Sequence, residues 1–159
     1  MIQRIQSLYL LLATAIISLL YFFPMAEYNE ISGNILVLDN KGIVNISENM
    51  VLINYYSILI LIILTTLISI ISIFLFKNRK LQMRLTIYNV IVLIGMFGLI
   101  YYYYKIGINE VIDKYNIEII SKSMSVFSLS PVIASFFNYL AYKRILRDEI
   151  LVKSIDRIR

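Results

Sequence analysis

The sequence predicts an all-α membrane protein, a four-transmembrane-helix bundle with a small extracytoplasmic β-hairpin between helices 1 and 2. Three observations lead there. The 159 residues are 60% hydrophobic and only 16% charged, with a mean hydropathy of +0.79, whereas soluble domains sit at roughly 45–50% apolar and ~25% charged. Four long stretches contain no Asp, Glu, Lys or Arg. Lys and Arg are concentrated in alternate segments between those stretches. A chain of this length makes one domain.

Crossing a hydrocarbon layer of ~30 Å takes about 20 apolar residues. The spans expected on that measure cover about 8–24, 51–76, 85–104 and 124–142. Arg4 ahead of an apolar run also fits a signal peptide. The cleavage zone would read Tyr21-Phe22-Phe23-Pro24-Met25-Ala26, which is bulky where small residues are required, so a retained helix is expected. Pro131 falls inside the fourth stretch. A helix starting there would have 12 residues before Lys143, too few to cross, so the sequence predicts a kink at the proline.

Orientation follows from charge. Segments 1–7, 77–84 and 143–159 hold 11 Lys and Arg, and segments 25–50 and 105–123 hold 4. The positive-inside rule puts the first set, and with it both termini, in the cytoplasm. Lys77, Arg79, Lys80 and Arg84 form the densest cluster and are first of all a topology signal. Anionic headgroups of the cytoplasmic leaflet are the expected partner, at about 1 kcal/mol per basic residue. Nothing aromatic or Gly-rich is interleaved with the cluster, so no nucleic acid is expected. Tyrosines at the span ends, including the run Tyr101 to Tyr104, read as interfacial anchors.

Outside the membrane, residues 35–46 form two β-prone runs around Asp39-Asn40-Lys41-Gly42. Gly42 supplies the positive φ that a hairpin turn with a bulge requires. In 105–123, Ile108, Val111, Ile112, Tyr115 and Ile119 recur at helical spacing and predict a short amphipathic helix.

The spans carry no ionisable group, the usual pointer to a transport path. Asn89 and Asn138 lie at equal depth near the cytoplasmic ends of the third and fourth spans and predict an interhelical polar contact. Small and hydroxyl residues, among them Ser69, Ser72, Ser128, Gly95 and Gly98, predict packing seams. The chain has neither Cys nor His, so Ser hydroxyls lack their usual activating base. The sequence offers no catalytic, cofactor-binding or metal-binding residue. The tail 143–159 reads as a cytoplasmic continuation of the fourth helix. Arg144, Arg147, Asp148, Glu149, Lys153, Asp156 and Arg157 interleave both signs of charge with aliphatic residues there. Together with Lys77, Arg79, Lys80 and Arg84 they form the candidate interaction surface.

Three boundary strings, "MIQRIQSLYLLLA" at 1–13, "FLFKNRKLQMRL" at 74–85 and "LAYKRILRDEILVKSIDRIR" at 140–159, resemble a family of small four-span membrane proteins of Bacteroidota whose domain is classed as of unknown function. The resemblance runs the length of the chain and implies four spans and an inner-membrane location. It implies no activity and no site residue. The expected function is that of a non-enzymatic accessory or scaffold subunit, partnered by another membrane protein. A small transporter or lipid-handling protein is the alternative.

Overall fold

The computed structural model describes residues 3–48 and 50–156, with side chains from 5 to 151 except those of Asn49 and Lys77. Helix α1 (Gln3–Ser18) runs through a tight turn (Leu19–Tyr21) into strands β1 (Ala26–Glu30), β2 (Ile35–Asp39), β3 (Gly42–Asn45) and β4 (Met50–Asn54). Helix α2 (Tyr56–Phe74) follows, and a short turn (Leu75–Lys77) reverses the chain into α3 (Arg79–Tyr102). A π-helical turn (Tyr103–Gly107) carries α3 into α4 (Ile108–Tyr115). Strand β5 (Ile119–Met124), a 3₁₀ turn (Val126–Leu129) and the long α5 (Ser130–Asp156) complete the chain.

The expectation of an all-α bundle with a small hairpin is overturned by a five-stranded antiparallel sheet of order β4-β3-β2-β1-β5. The hairpin β2–β3, with Asp39 paired to Gly42, is the centre of that sheet. Its neighbours come from segments whose local signal is weak. β1 carries two glutamates and an asparagine, and β4 merges with the apolar run of α2. A lone hairpin is marginal in water, and three or more strands with a packed face are needed for stability. Here β1 donates one face: Ala26 and Tyr28 are buried while Glu27 is exposed. Opposite them across the ladder stand Leu38 and Leu36, and Leu38 in turn faces Ile43. These side chains form one core with Ile108 and Val111 of α4, Ile58 of α2 and Ile100 of α3. The sheet therefore rests on the end of the helix bundle, with α4 beneath it.

Two boundary expectations change with it. The second apolar stretch becomes helical at Tyr56, because Val51 to Asn54 pair with β3. Pro131 is the second residue of α5, in a first turn where its missing N–H breaks no bond, so it starts the helix and does not kink it. α5 reaches a length of 27 residues by continuing beyond Lys143. The helix expected in 105–123 ends at Asn116, in the left-handed region at φ 50°. Ile119 of the same spacing belongs to β5.

Helices α1, α2, α3 and α5 alternate in direction and form a ring, with α1 against α2 and α5, and α3 against α2 and α5. By length and apolarity, two helical stretches qualify as bilayer spans: Tyr56–Phe74 and the continuous run Arg79–Tyr115. Ile5–Tyr21 is a shorter apolar helix. The four qualifying spans expected from the sequence are thus reduced to two, because the first helix is short and α5 becomes charged past Tyr142.

Candidate functional site

Polarity inside the helix ring changes from end to end. Near the sheet the interior is apolar, built from Ala13, Ile17, Leu20, Ile58, Ile62, Leu93, Met96 and Ile100. Toward the far end the buried side chains include Thr65, Ser69 and Ser72 of α2, Gln82, Thr86 and Asn89 of α3, Asn138 of α5 and Gln6 of α1, beside the apolar Leu10, Ala141 and Ile145. The outward faces are the reverse. Ile60, Ile63, Leu64, Leu67, Ile70 and Ile71 of α2, and Ile87, Ile91 and Ile94 of α3, are all exposed.

Asn89 is the centre of the polar interior. It is fully buried, its amide donates to the Ser69 hydroxyl at 2.7 Å, and it reaches Asn138 Oδ1 at 3.4 Å. Asn138 donates in turn to the Ala134 carbonyl at 3.0 Å. The contact joins α2, α3 and α5, and the shorter bond goes to Ser69, so the two asparagines are one part of a three-helix clamp. Nearer the chain reversal, Gln82 donates to the Ser72 carbonyl at 2.9 Å. In the sequence Gln82 lies in a basic loop and gives no signal of burial, yet it is 2% exposed. A buried amide must find an acceptor, and the last turns of α2 supply one. Asn89 Oδ1 and Ser72 Oγ are buried without a partner among the described residues.

Gly95 and Gly98, expected in a packing seam, stand on the outer face of α3, and a side-chain carbon at either would meet nothing within 4 Å. Their spacing puts them about one turn apart, but no neighbouring helix lies over them.

The charged end is knit by a few specific contacts. Gln6 Nε2 of α1 donates to the Asp148 carboxylate of α5. Arg79 Nη1, at the start of α3, donates to the Asp148 carbonyl at 3.2 Å. Asp148 thus binds three helices together. Lys80 and Arg84 of α3, and Arg144 and Arg147 of α5, lie at the surface, and Glu149 is half-buried. The backbones of Lys77, Lys153 and Asp156 belong to ordered turns or helix. The side chains of these three, and the whole of Arg157, lie outside the described residues. Among the described residues, no three His, Cys, Asp or Glu stand together as a metal site would require.

At the other end the tyrosine run divides in two. Tyr101 and Tyr102 are exposed, while Tyr103 stacks on Tyr55 at 4.0 Å and Tyr104 stacks on Tyr28 at 5.9 Å. Tyr28, in β1, donates to the Tyr104 carbonyl at 3.2 Å. Burial pushes the Tyr28 hydroxyl well above the usual tyrosine range. Tyr55 sits between β4 and α2 and donates to Glu110 at 3.0 Å. Its hydroxyl is also held up, first by burial and then by the Glu110 carboxylate.

The molecule so described is a mixed helix-and-sheet protein: a ring of four alternating helices, polar inside at one end, closed by an antiparallel sheet at the other. The chain belongs to the family defined as a domain of unknown function, DUF4293, which it matches over residues 2–158. No curated protein and no solved structure matches it.

Proposed function

We propose that the protein is a non-enzymatic integral membrane protein of the bacterial inner membrane, serving as an accessory or scaffold subunit of a membrane protein complex. In this reading α2 and α3, the two helices long and apolar enough, cross the bilayer, with α1 and α5 packed against them. The sheet lies outside, and both termini and the α2–α3 reversal lie in the cytoplasm. The observation that carries it is the inverted polarity of α2 and α3. Soluble helices bury their aliphatic stripe and expose the polar one. Here α2 and α3 bury Thr65, Ser69, Ser72, Gln82, Thr86 and Asn89 while presenting Ile, Leu and Phe outward. Only 28% of the apolar core of either helix is buried. Water would penalise so large an apolar surface, whereas lipid would not. α1 packs along α2 and α5 along α3, and both would share their environment.

The positive-inside rule supports the orientation. Two features of the charged end support the accessory role. Asp148 fixes α5 against α1 and α3, and α5 then projects onward as an ordered helix carrying exposed Arg144, Arg147, Ile150 and Leu151. An ordered mixed-charge helix with exposed aliphatics suits a protein surface better than a headgroup layer, which would favour cations alone. A lipid-handling role is the second reading, favoured by a groove between α3 and α5.

Gentle detergent extraction followed by affinity purification and mass spectrometry tests the first reading. A stoichiometric partner is expected. R144E/R147E, at two exposed positions, should weaken its capture at least fivefold, and deletion of 146–159 should abolish it with membrane insertion intact. Full retention of the partner by both variants would make the tail a passive anchor and overturn the role. Topology is checked separately with single cysteines at Lys41 and Lys80 and an impermeant thiol reagent on spheroplasts. Labelling at 41 alone is expected, and labelling at 80 alone would reverse the orientation.

A further inference from the structure

Two adjoining hollows run along the outer surface between α3 and α5. The first, of about 340 Å³, is bounded by Lys80, Arg84, Ile87, Tyr142 and Leu146, with Met83 completing its wall. The second, of about 250 Å³, is lined by Ile87, Val90, Ile91, Tyr139 and Tyr142. Ile87 and Tyr142 belong to both, so the two form one groove. Residues 80, 84, 87 and 91 recur at helical spacing and make a single stripe on α3. Residues 139, 142 and 146 make the facing stripe on α5. The groove is therefore parallel to the helix axes, cationic at one mouth and apolar for the rest of its length.

Lys80 and Arg84 lie at the surface, and among the described residues neither has a hydrogen-bond or ion-pair partner. Among the described residues, no carboxylate lines the groove. On the far wall, the Lys143 ammonium lies 5.2 Å from the centre of the Tyr139 ring. From Arg84 to Ile91 the groove descends about 10 Å, roughly seven residues at 1.5 Å each. This length suits the upper half of an acyl chain.

We propose that this groove is a binding site for an anionic glycerophospholipid. The phosphate sits at Lys80 and Arg84, and one acyl chain lies along Ile87 and Ile91 beneath Tyr139. The two halves of the groove together select this chemistry. A free anion would use the cationic mouth and leave the apolar trough empty, and a neutral hydrocarbon would leave two unpaired cations at its rim. An amphiphile with a negative head occupies both. The inference rests on the membrane reading, which sets the mouth at headgroup depth and the groove axis along the acyl chains. It goes beyond general attraction to the leaflet in naming one discrete site, its two anion ligands and its hydrocarbon trough.

The test uses the purified full chain in a non-ionic detergent. Dioleoyl phosphatidylglycerol, dioleoyl phosphatidylcholine and inorganic phosphate are offered separately, with retention read by native mass spectrometry and protection by thermal denaturation. One phosphatidylglycerol per chain is expected, retained at least tenfold better than phosphatidylcholine, with no protection by inorganic phosphate. K80Q/R84Q should bring the preference below twofold while leaving the fold unchanged. Ile87→Trp, which fills the trough without touching a charge, should lower retention of both lipids. Equal retention of the two lipids by the unaltered chain would overturn the site, as would a preference that survives K80Q/R84Q. Protection by inorganic phosphate alone would make it a simple anion site and equally overturn the proposal. Failure here is separable from failure of the membrane reading. A chain that resists alkaline extraction from membranes yet shows no lipid preference loses only the site. A chain released by alkali loses the membrane reading itself.

Discussion

Asn89 shows how much one side chain can organise when it is buried among helices. Its bond to Ser69 is short and its contact with Asn138 long, 2.7 Å against 3.4 Å. The coupling energies should follow the same order. Interhelical polar contacts in membranes average about 0.6 kcal/mol by double-mutant cycle, with a maximum near 1.7. The N89A/S69A cycle is therefore expected to give about 0.6 kcal/mol and the N89A/N138A cycle less, as measured by reversible unfolding in mixed micelles. A larger coupling to Asn138 would move the centre of the clamp from α2 to α5. The asparagine pair was legible in the sequence from depth alone, since both lie about a turn and a half inside the charged boundary. Ser69 was visible only as one member of a hydroxyl stripe, and Gln82 not at all. Depth can be counted along a chain, but which way a residue faces is set by the helix it meets.

Among the elements, the sheet is where local and distant signals separate most clearly. The β2–β3 hairpin declares itself through Asp39-Asn40-Lys41-Gly42 because a turn is specified by adjacent residues. Gly42 has φ 138°, and a side-chain carbon there would run into the Ile53 carbonyl of the neighbouring strand. Gly42→Ala should accordingly cost about 1–3 kcal/mol, the usual range for a residue held in a disfavoured backbone region. Thermal unfolding of the two proteins side by side would measure it, and a loss below about 0.5 kcal/mol would mean that the β3–β4 contact relaxes freely. β1, β4 and β5 had no such local cue. β5 becomes a strand only by pairing with β1, distant in the chain, with Tyr28 opposite Lys122. β4 is as oily as the helix it precedes, and hydropathy cannot distinguish an apolar strand from the start of an apolar helix. The long helices α2 and α3 were legible for the opposite reason, since their length and apolarity are local properties.

At the scale of the whole molecule, the pairing of β1 with β5 is the feature with the longest reach. β1 comes from the link between α1 and α2, and β5 from the link between α4 and α5. Main-chain bonds carry the join further: the Met25 N–H donates to the Leu38 carbonyl at 2.8 Å, and the Ser125 N–H donates to the Met25 carbonyl at 2.9 Å. Phe23 stacks on Phe127 at 4.1 Å beside them. The opposite end of the ring is held by side chains wherever the chain does not itself turn. Hydrogen exchange should reflect this asymmetry, with the amides of the interior strands β1, β2 and β3 among the slowest to exchange and those at the start of α1 and the end of α5 among the fastest. Equal protection at the two ends would contradict it. A body sewn shut at one end and only buttoned at the other behaves like a clothes-peg. Its helices can part only at the tips, by pivoting about the sheet. The seam beside Arg84 and Tyr142 lies toward those tips, so a parting of α3 from α5 would widen it.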